Sequence, residues 1–430
     1  MPRQSSNGRD AAKSCAIAVG IGLFAFRAFS VDEAPTDWVD PATGHRIIRL
    51  SSHAGSSSLY FHQNSYTPEG DKFIFDTPEG IGAVDLKTLG TKPPTVDIVV
   101  TNGRALAMAR KTREVYFTRR GALFAASVDT HAVREVCKGF VTAINCGETY
   151  VVRTVTATDP SGNVKEPPPR TILPQRERMF SDKIKANIPL TAEEERAARK
   201  EDGLARRLAK PQCRAFVFTN LKTGESVTNG YQYAWLNHLQ FSPTEPNLLL
   251  YCHEGTWHEV DRIWMIRTDG SQQRLIHKRT TDMEIAGHEF WSSDGKTIWF
   301  DLQTPRSKEF WLAGVNVETG KETRYKLERD WWSIHYNVSR DGKLFAGDGG
   351  DPGQVAFAKD GMWINLFRPQ PDGSVVRERL ADMRKHNYVT GEDGVEPNVT
   401  ITPDGKWVVF KGNMFGRLEV YAVEVAGKTR

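Results

Sequence analysis

A short polar turn recurs seven times along this chain, and no other feature narrows the fold as far. It occupies residues 67–70, 109–112, 145–148, 242–245, 292–295, 339–342 and 402–405. A strand-like run follows each turn, as at 72–75, 297–300 and 407–410. After most of these comes a second hairpin signature, at 85–88, 220–224, 268–270, 317–320 and 371–373. Two hairpins make a four-stranded unit. Seven such units, most of them about 40–60 residues apart, predict an all-β, seven-bladed β-propeller rather than tandem sandwiches, whose strands carry no such long period. The last unit is one strand short, and the apolar, β-branched run at 44–50 is expected to pair beside 418–425 and close the ring.

One unit is interrupted. Between residues 153 and 213 lies a segment rich first in Pro and then in charge, with a helix expected over 191–210. A linker between two domains is one reading of it. The strand pattern resumes at 214–218 and completes the third unit, which favours a helical, charge-rich insertion within the third blade. Ahead of the repeats, Arg3, Arg9 and Lys13 precede an uncharged, mostly apolar run at 14–26, followed by the small residues Ala28 and Ser30. That run is too short to span a bilayer comfortably, so residues 1–30 are expected to be a secretory signal rather than an uncleaved anchor. Residues 31–430 are then an exported propeller with no stable membrane association. Cys15 lies in the signal, whereas Cys137, Cys146, Cys213 and Cys252 show no ligand spacing and are expected as buried thiols or as one disulfide. With 57 Lys+Arg against 53 Asp+Glu the net charge of +4 excludes a protein that coats nucleic acid, but a locally basic channel for an acidic ligand remains open.

In a propeller blade the first strand lines the channel and runs into the first turn, so residues equally far before that turn sit at one height around the axis. Four positions before the turn stand Gln63, His238, His288, His335 and Asn398. Three of the chain's 11 histidines therefore share one register in consecutive blades. The second strand returns to the same face, which brings His253, Glu254, His258, Asp261 and Arg262 to the channel mouth, with Arg153 and the insertion above it. Neutral imidazole accepts a proton near pH 7, and guanidinium stays charged and pairs bidentately with carboxylate. A proton α to a carboxylate becomes removable only when a cation or metal neutralises the charge that develops. Histidines beside an arginine suit that task.

At these residues the chain resembles the oligogalacturonate lyases, a family of seven-bladed propeller polysaccharide lyases. The likeness is clearest at 251–255 (YCHEG), 260–264 (VDRIW) and 287–291 (GHEFW), and extends to 210–214, 221–226, 235–238, His335 and 347–349. The resemblance implies that His288 is the base that takes the C5 proton of a uronate and that Arg262 neutralises the substrate's carboxylate. It also implies that His335 is similar to one ligand of the family's divalent metal, usually manganese. His238, His253, Glu254, Arg153 and Gln63 are expected to contact the acidic oligosaccharide. The family's other metal ligands are a Gln and a His-Pro-His triplet; here Asp393 stands near the first, and Glu396, Pro397 and Asn398 replace the second. An oxygen-rich site with one histidine suits manganese and would also accept calcium or magnesium. Either the metal is kept with a changed preference, or it is gone and the site takes a different uronide.

The leading expectation is β-elimination across a glycosidic bond to a 4,5-unsaturated uronate. An exported, non-catalytic carbohydrate-binding propeller would need the arginines and aromatics but not His288 as a base. A glycoside hydrolase on the same scaffold would need two carboxyl groups facing each other across the sugar, for which Glu254 and Glu289 are the candidates.

Overall fold

The chain was analysed as a computed structural model that describes residues 34–388 and 395–426; the expected signal at 1–30 and Asp393 lie outside the described residues. Seven antiparallel sheets follow one another along the chain, each a blade. Where the repeated turn opens on Ser or Thr, it works through that hydroxyl. Ser292 Oγ donates to Asp294 and accepts the N–H of Thr297 at 2.9 Å, and Ser339 and Thr402 do the same with Asp341 and Asp404. The Gly that ends these turns takes a φ of 70°, 71° and 72° at Gly295, Gly342 and Gly405, a conformation that a Cβ would strain.

The ring closes as the repeats predict. Arg46–Arg49 pairs antiparallel with Glu419–Glu424, with Ile47 opposite Val423 and Ile48 opposite Ala422. Asp37–Val39 adds a fifth strand outside it. The first blade is the least regular. Its sheet has three strands, and its innermost position is reduced to a single bridge between Tyr66 and Phe73.

The insertion belongs to the third blade, because the strands on either side of it, Tyr150–Thr156 and Cys213–Asn220, pair with each other along their length. It holds two helices, α1 (Gln175–Lys185) and α2 (Ala192–Leu208). Thr191 caps α2 in a reciprocal capping box with Glu194, which satisfies two of the backbone donors that a helix start leaves open. The sequence points to α2 but not to α1, which follows a Pro-rich stretch and has no side-chain cap.

Apolar burial lies between blades rather than on the axis. Val152, Phe216 and Phe218 of the third blade pack with Leu236, Leu249 and Tyr251 of the fourth. Leu250 and Met265 of the fourth pack with Ile298 and Phe300 of the fifth. The blades hold each other by these wedges, which frees the axis for polar side chains. Among the described residues all four cysteines are free thiols, and no helix is long and apolar enough to cross a membrane.

Candidate active site

The innermost strands deliver their histidines through a shared irregularity. His238, His288 and Asn398 take left-handed φ values of 50°, 47° and 55°. The pairing register slips beside two of them, between Asn237 and Gln240 and between Gly287 and Phe290. A bulge of this kind breaks the alternation of the strand and re-aims a side chain. The rings of His238 and His288 lie 6.5 Å apart and those of His288 and His335 4.7 Å apart, so the three histidines of the shared register do meet. Tyr60 and His62 of the first blade complete the group, 5.1 Å from His335 and 5.9 Å from His238.

His288 is held as a base would be. Its Nδ1 faces Oδ1 of the fully buried Asp301 at 3.3 Å, and Trp332 Nε1 donates to the other carboxylate oxygen. That carboxylate keeps the proton on Nδ1 and leaves Nε2 without a hydrogen-bond partner among the described residues. Asp301 reaches the ring only because residue 287 is Gly: a Cβ there would lie 2.8 Å from Asp301 Oδ1. Burial works against a charged imidazole, but the hydrogen bond and charge of Asp301, joined by Glu396, outweigh it and raise His288 above the usual histidine value. His288 and Glu396 line one pocket, roofed by Arg196, Lys200 and Glu201 of α2 and walled by Trp257 and Trp332.

His335 differs. It is fully buried, with Nδ1 on Asp348 at 2.8 Å and Nε2 3.2 Å from Tyr60 Oη and 3.6 Å from Glu396 Oε2. Burial, then the neighbouring His288, drives it well below the usual histidine value, and burial pushes Asp348 up to about 7.

Arg262 reaches the cluster with its charge already matched. Nη1 donates to Glu254 at 2.8 Å and Nε to Glu289 at 3.0 Å, and Glu289 also holds His238 Nδ1 at 3.1 Å. Burial opposes the charge on both carboxylates, but Arg262 outweighs it, holding Glu254 down to about 2 and Glu289 lower still. His238, Cys252 and Glu289 present ligand atoms within 4.8 Å of one another, yet the guanidinium stands where a cation would bind. Arg262 is thus buried and paired on both sides, and it fixes Glu254, Glu289 and His238; the geometry neither makes nor bars its expected meeting with a substrate carboxylate.

Three expected contacts are turned elsewhere. His253 points to the opposite face of its strand from Cys252 and Glu254, bonds to Gln232 at 2.6 Å and stacks on Trp264. Arg153 sits in mid-strand opposite Val217 and does not line the pocket. Gln63 caps Tyr60 N–H and borders a larger cavity of about 540 Å³ that opens at the other end of the channel, among the repeated turns. Counting back from the turn fails in the first blade because its innermost strand is not regular, so Tyr60 and His62 take the place that Gln63 was given. His258 is a structural residue, bonded to Gln175 of α1 at 2.8 Å and to Arg306 at 3.2 Å.

Residues 204–428 match the family model described as oligogalacturonate lyase. The chain belongs to the oligogalacturonate lyase family. It is 30% identical over 228 residues to the oligogalacturonate lyase of Dickeya dadantii and 26% identical over 226 residues to the oligogalacturonide lyase of Pectobacterium atrosepticum. Each match takes in 50% of this chain and 56% of the relative, so the chain spans about half the length of the curated relatives it matches. Among solved structures, an oligogalacturonate lyase in complex with manganese superposes with a TM-score of 0.67 at 20% identity, covering 90% of this chain and 95% of that one. One from Vibrio parahaemolyticus gives 0.66 at 20% identity, covering 90% and 96%. At that identity the likeness establishes the shared propeller fold.

Whether the departures at 396 and 398 leave a metal site can be tested on the donors. His335 Nε2 and Glu396 Oε2 are close enough to share one ion, and Asp348 orients the imidazole from behind as a second-layer partner does. The Asn398 amide is engaged locally instead, accepting from Phe61 N–H at 3.3 Å and donating to the Glu396 carbonyl at 2.8 Å. Among the described residues the donors thus offer one nitrogen and one oxygen to an open site, a pair that hard divalent ions accept.

Proposed function

We propose that this protein is a lyase that cleaves oligogalacturonates by β-elimination, with His288 as the base. The observation that carries the reading is the His288–Asp301 pair: an imidazole of raised basicity, its Nδ1 fixed and its Nε2 free, on the wall of a pocket in a member of this family. His288 Nε2 takes the C5 proton, the electrons of that bond form C4=C5, and the C4–O bond breaks with its pair on the leaving oxygen, which takes a proton from solvent. The fixed ring means that no reorientation precedes transfer. His335 and Glu396 would hold a divalent ion, manganese or calcium, whose charge would make the C5 proton more acidic through the adjacent carboxylate.

The hydrolase alternative has no support in the carboxylates. Glu254 and Glu289 both pair with Arg262 and stay ionised, whereas a hydrolase needs one carboxyl held protonated as an acid. We also retain residues 1–30 as an export signal, which N-terminal sequencing of the secreted protein would check. The deciding experiment is incubation with galacturonate oligomers while following ultraviolet absorbance. An unsaturated product is expected; saturated ends alone would make the protein a hydrolase, and unchanged sugar with measurable binding would make it a lectin-like propeller.

A further inference from the structure

The pocket beside His288 is roofed by a part of the chain that the family model does not match. That match starts at residue 204, whereas the side chains of α2 that enter the pocket are Arg196, Ala197, Lys200 and Glu201. Residues three and four apart share one side of a helix, so this spacing is one face directed at one cavity. The adjoining stripe, Glu194, Ala198, Glu201 and Ala205, is buried and docks the helix.

The docking is rigid and polar. Glu201 accepts from Arg306 at 2.8 Å, Arg306 meets His258, and His258 meets Gln175 of α1, all buried. Breaking such a network leaves buried charge unpaired, so α2 keeps its position over the pocket. Two atoms of the network, Glu201 Oε2 and Arg306 Nε, are buried with no partner, and both residues line the pocket.

The charges on the roof are loosely held: Arg196 feels the carboxylates of Glu193 and Asp351 without a close ion pair to either. Neither Arg196 nor Lys200 has a carboxylate within ion-pair distance among the described residues. Lys200 Nζ lies 5.4 Å from the Trp257 ring, which in turn stands edge-on to His288 at 5.6 Å. Arg196 lies over Gly353, where a Cβ would come within 2.9 Å of its guanidinium. The carboxylates of the pocket are each engaged: Glu201 with Arg306, Asp351 with Gly353 N–H at 2.9 Å, and Glu396 facing His335. Arg262, the other cation near His288, is paired twice.

We propose that Arg196 and Lys200 of the inserted helix form a carboxylate-binding subsite for a third uronate, the one beyond the two that flank the broken bond. The inference rests on the lyase reading for its substrate class. A galacturonate chain carries one carboxylate per sugar, so a trimer or longer oligomer brings a carboxylate beyond those of the two residues at the broken bond, and the roof supplies two cations for it within the same pocket. Trp257 adds an aromatic wall to the same pocket. The inserted helix thereby sets a preference for oligomer length.

The test uses the full chain and the double variant Arg196→Gln with Lys200→Gln. Both positions are exposed, so a thermal melt close to that of the unaltered chain is expected. KM for galacturonate dimer, trimer and tetramer is measured from the ultraviolet signal. The expected result is a KM that rises about tenfold for trimer and tetramer, less for dimer, with a gap that narrows as salt is added. The charge-preserving Arg196→Lys with Lys200→Arg should recover much of it. A KM raised equally for all lengths, or not raised at all, overturns the subsite. Calorimetric titration of the same oligomers separates this outcome from failure of the lyase reading. If the unaltered chain binds them, the length-dependent loss of affinity in the double variant decides the subsite whether or not any product forms. Absence of binding by the unaltered chain overturns it.

Discussion

The fifth and sixth blades carry the same local device and put it to opposite ends. In each, a histidine stands four residues before the repeated turn and an aspartate thirteen residues further on meets its Nδ1. The contact in the sixth blade is the shorter, 2.8 Å against 3.3 Å, yet it is His288 of the fifth blade that is raised in basicity and His335 that is lowered. The reason is solvation and charge rather than distance. Burial works against charge on both rings, but the hydrogen bond and charge of Asp301 outweigh it at His288, whereas at His335 the neighbouring His288 adds to it and Asp348 is itself driven up to about 7 by burial. A motif can place a ring; its surroundings decide whether that ring takes a proton or stays neutral to bind something else.

The comparison breaks most visibly at the two histidines themselves. Replacing His288 with Ala is expected to lower kcat by about 10²–10⁴-fold while calorimetric binding of galacturonate oligomers persists, as for a group that acts mainly in the transition state. Turnover near that of the unaltered chain would remove it as the base. His335→Ala should also register in the melting curve, because it takes from the buried Asp348 its side-chain partner and leaves only the backbone N–H groups of residues 335 and 398, a cost of about 1–3 kcal/mol.

Asp301→Asn sharpens the contrast through pH. The hydrogen bond and charge of Asp301 raise His288, and the base works only when neutral, so activity of the unaltered chain climbs as pH rises through that raised value. Without the carboxylate, burial is opposed only by the charge of Glu396, and the acid limb of the pH–rate profile should move to lower pH, with kcat reduced about 10–100-fold as the ring loses its orienting partner. A limb that stays in place would mean that another group sets it. The smallest effect is expected at Glu396. After chelation, readdition of manganese or calcium should restore activity, and Glu396→Gln should need about tenfold more metal for half restoration. Full activity in a demonstrably metal-free sample would instead assign His335 and Glu396 to contact with the sugar.

Legibility followed regularity. The turns at 292–295, 339–342 and 402–405 announce themselves because one hydroxyl, one aspartate and one left-handed glycine are needed together, and the register that follows located His238, His288 and His335. In the first blade the same count points to Gln63, since nothing in the sequence marks the loss of the inner strand that sets Tyr60 and His62 on the cluster. Asp301 and Asp348 were hidden for a different reason. Each is an ordinary acidic residue in or beside an apolar strand, and only the pairing of second strand to first shows what it touches.

By itself the sequence determined the seven-bladed ring, its closure by the strand at 46–49 and the existence of a polar cluster on the axis, because these follow from hydrogen-bond chemistry repeated from blade to blade. Tertiary structure alone decided the charge and the task of each member. Arg262 became a buried clamp because Glu254 from its own blade and Glu289 from the next converge on it. The helix at 192–208 became the roof of the pocket because Glu201 finds Arg306 a hundred residues away. Desolvation and long-range pairing depend on what surrounds a group in space, and no local pattern in the chain encodes that neighbourhood.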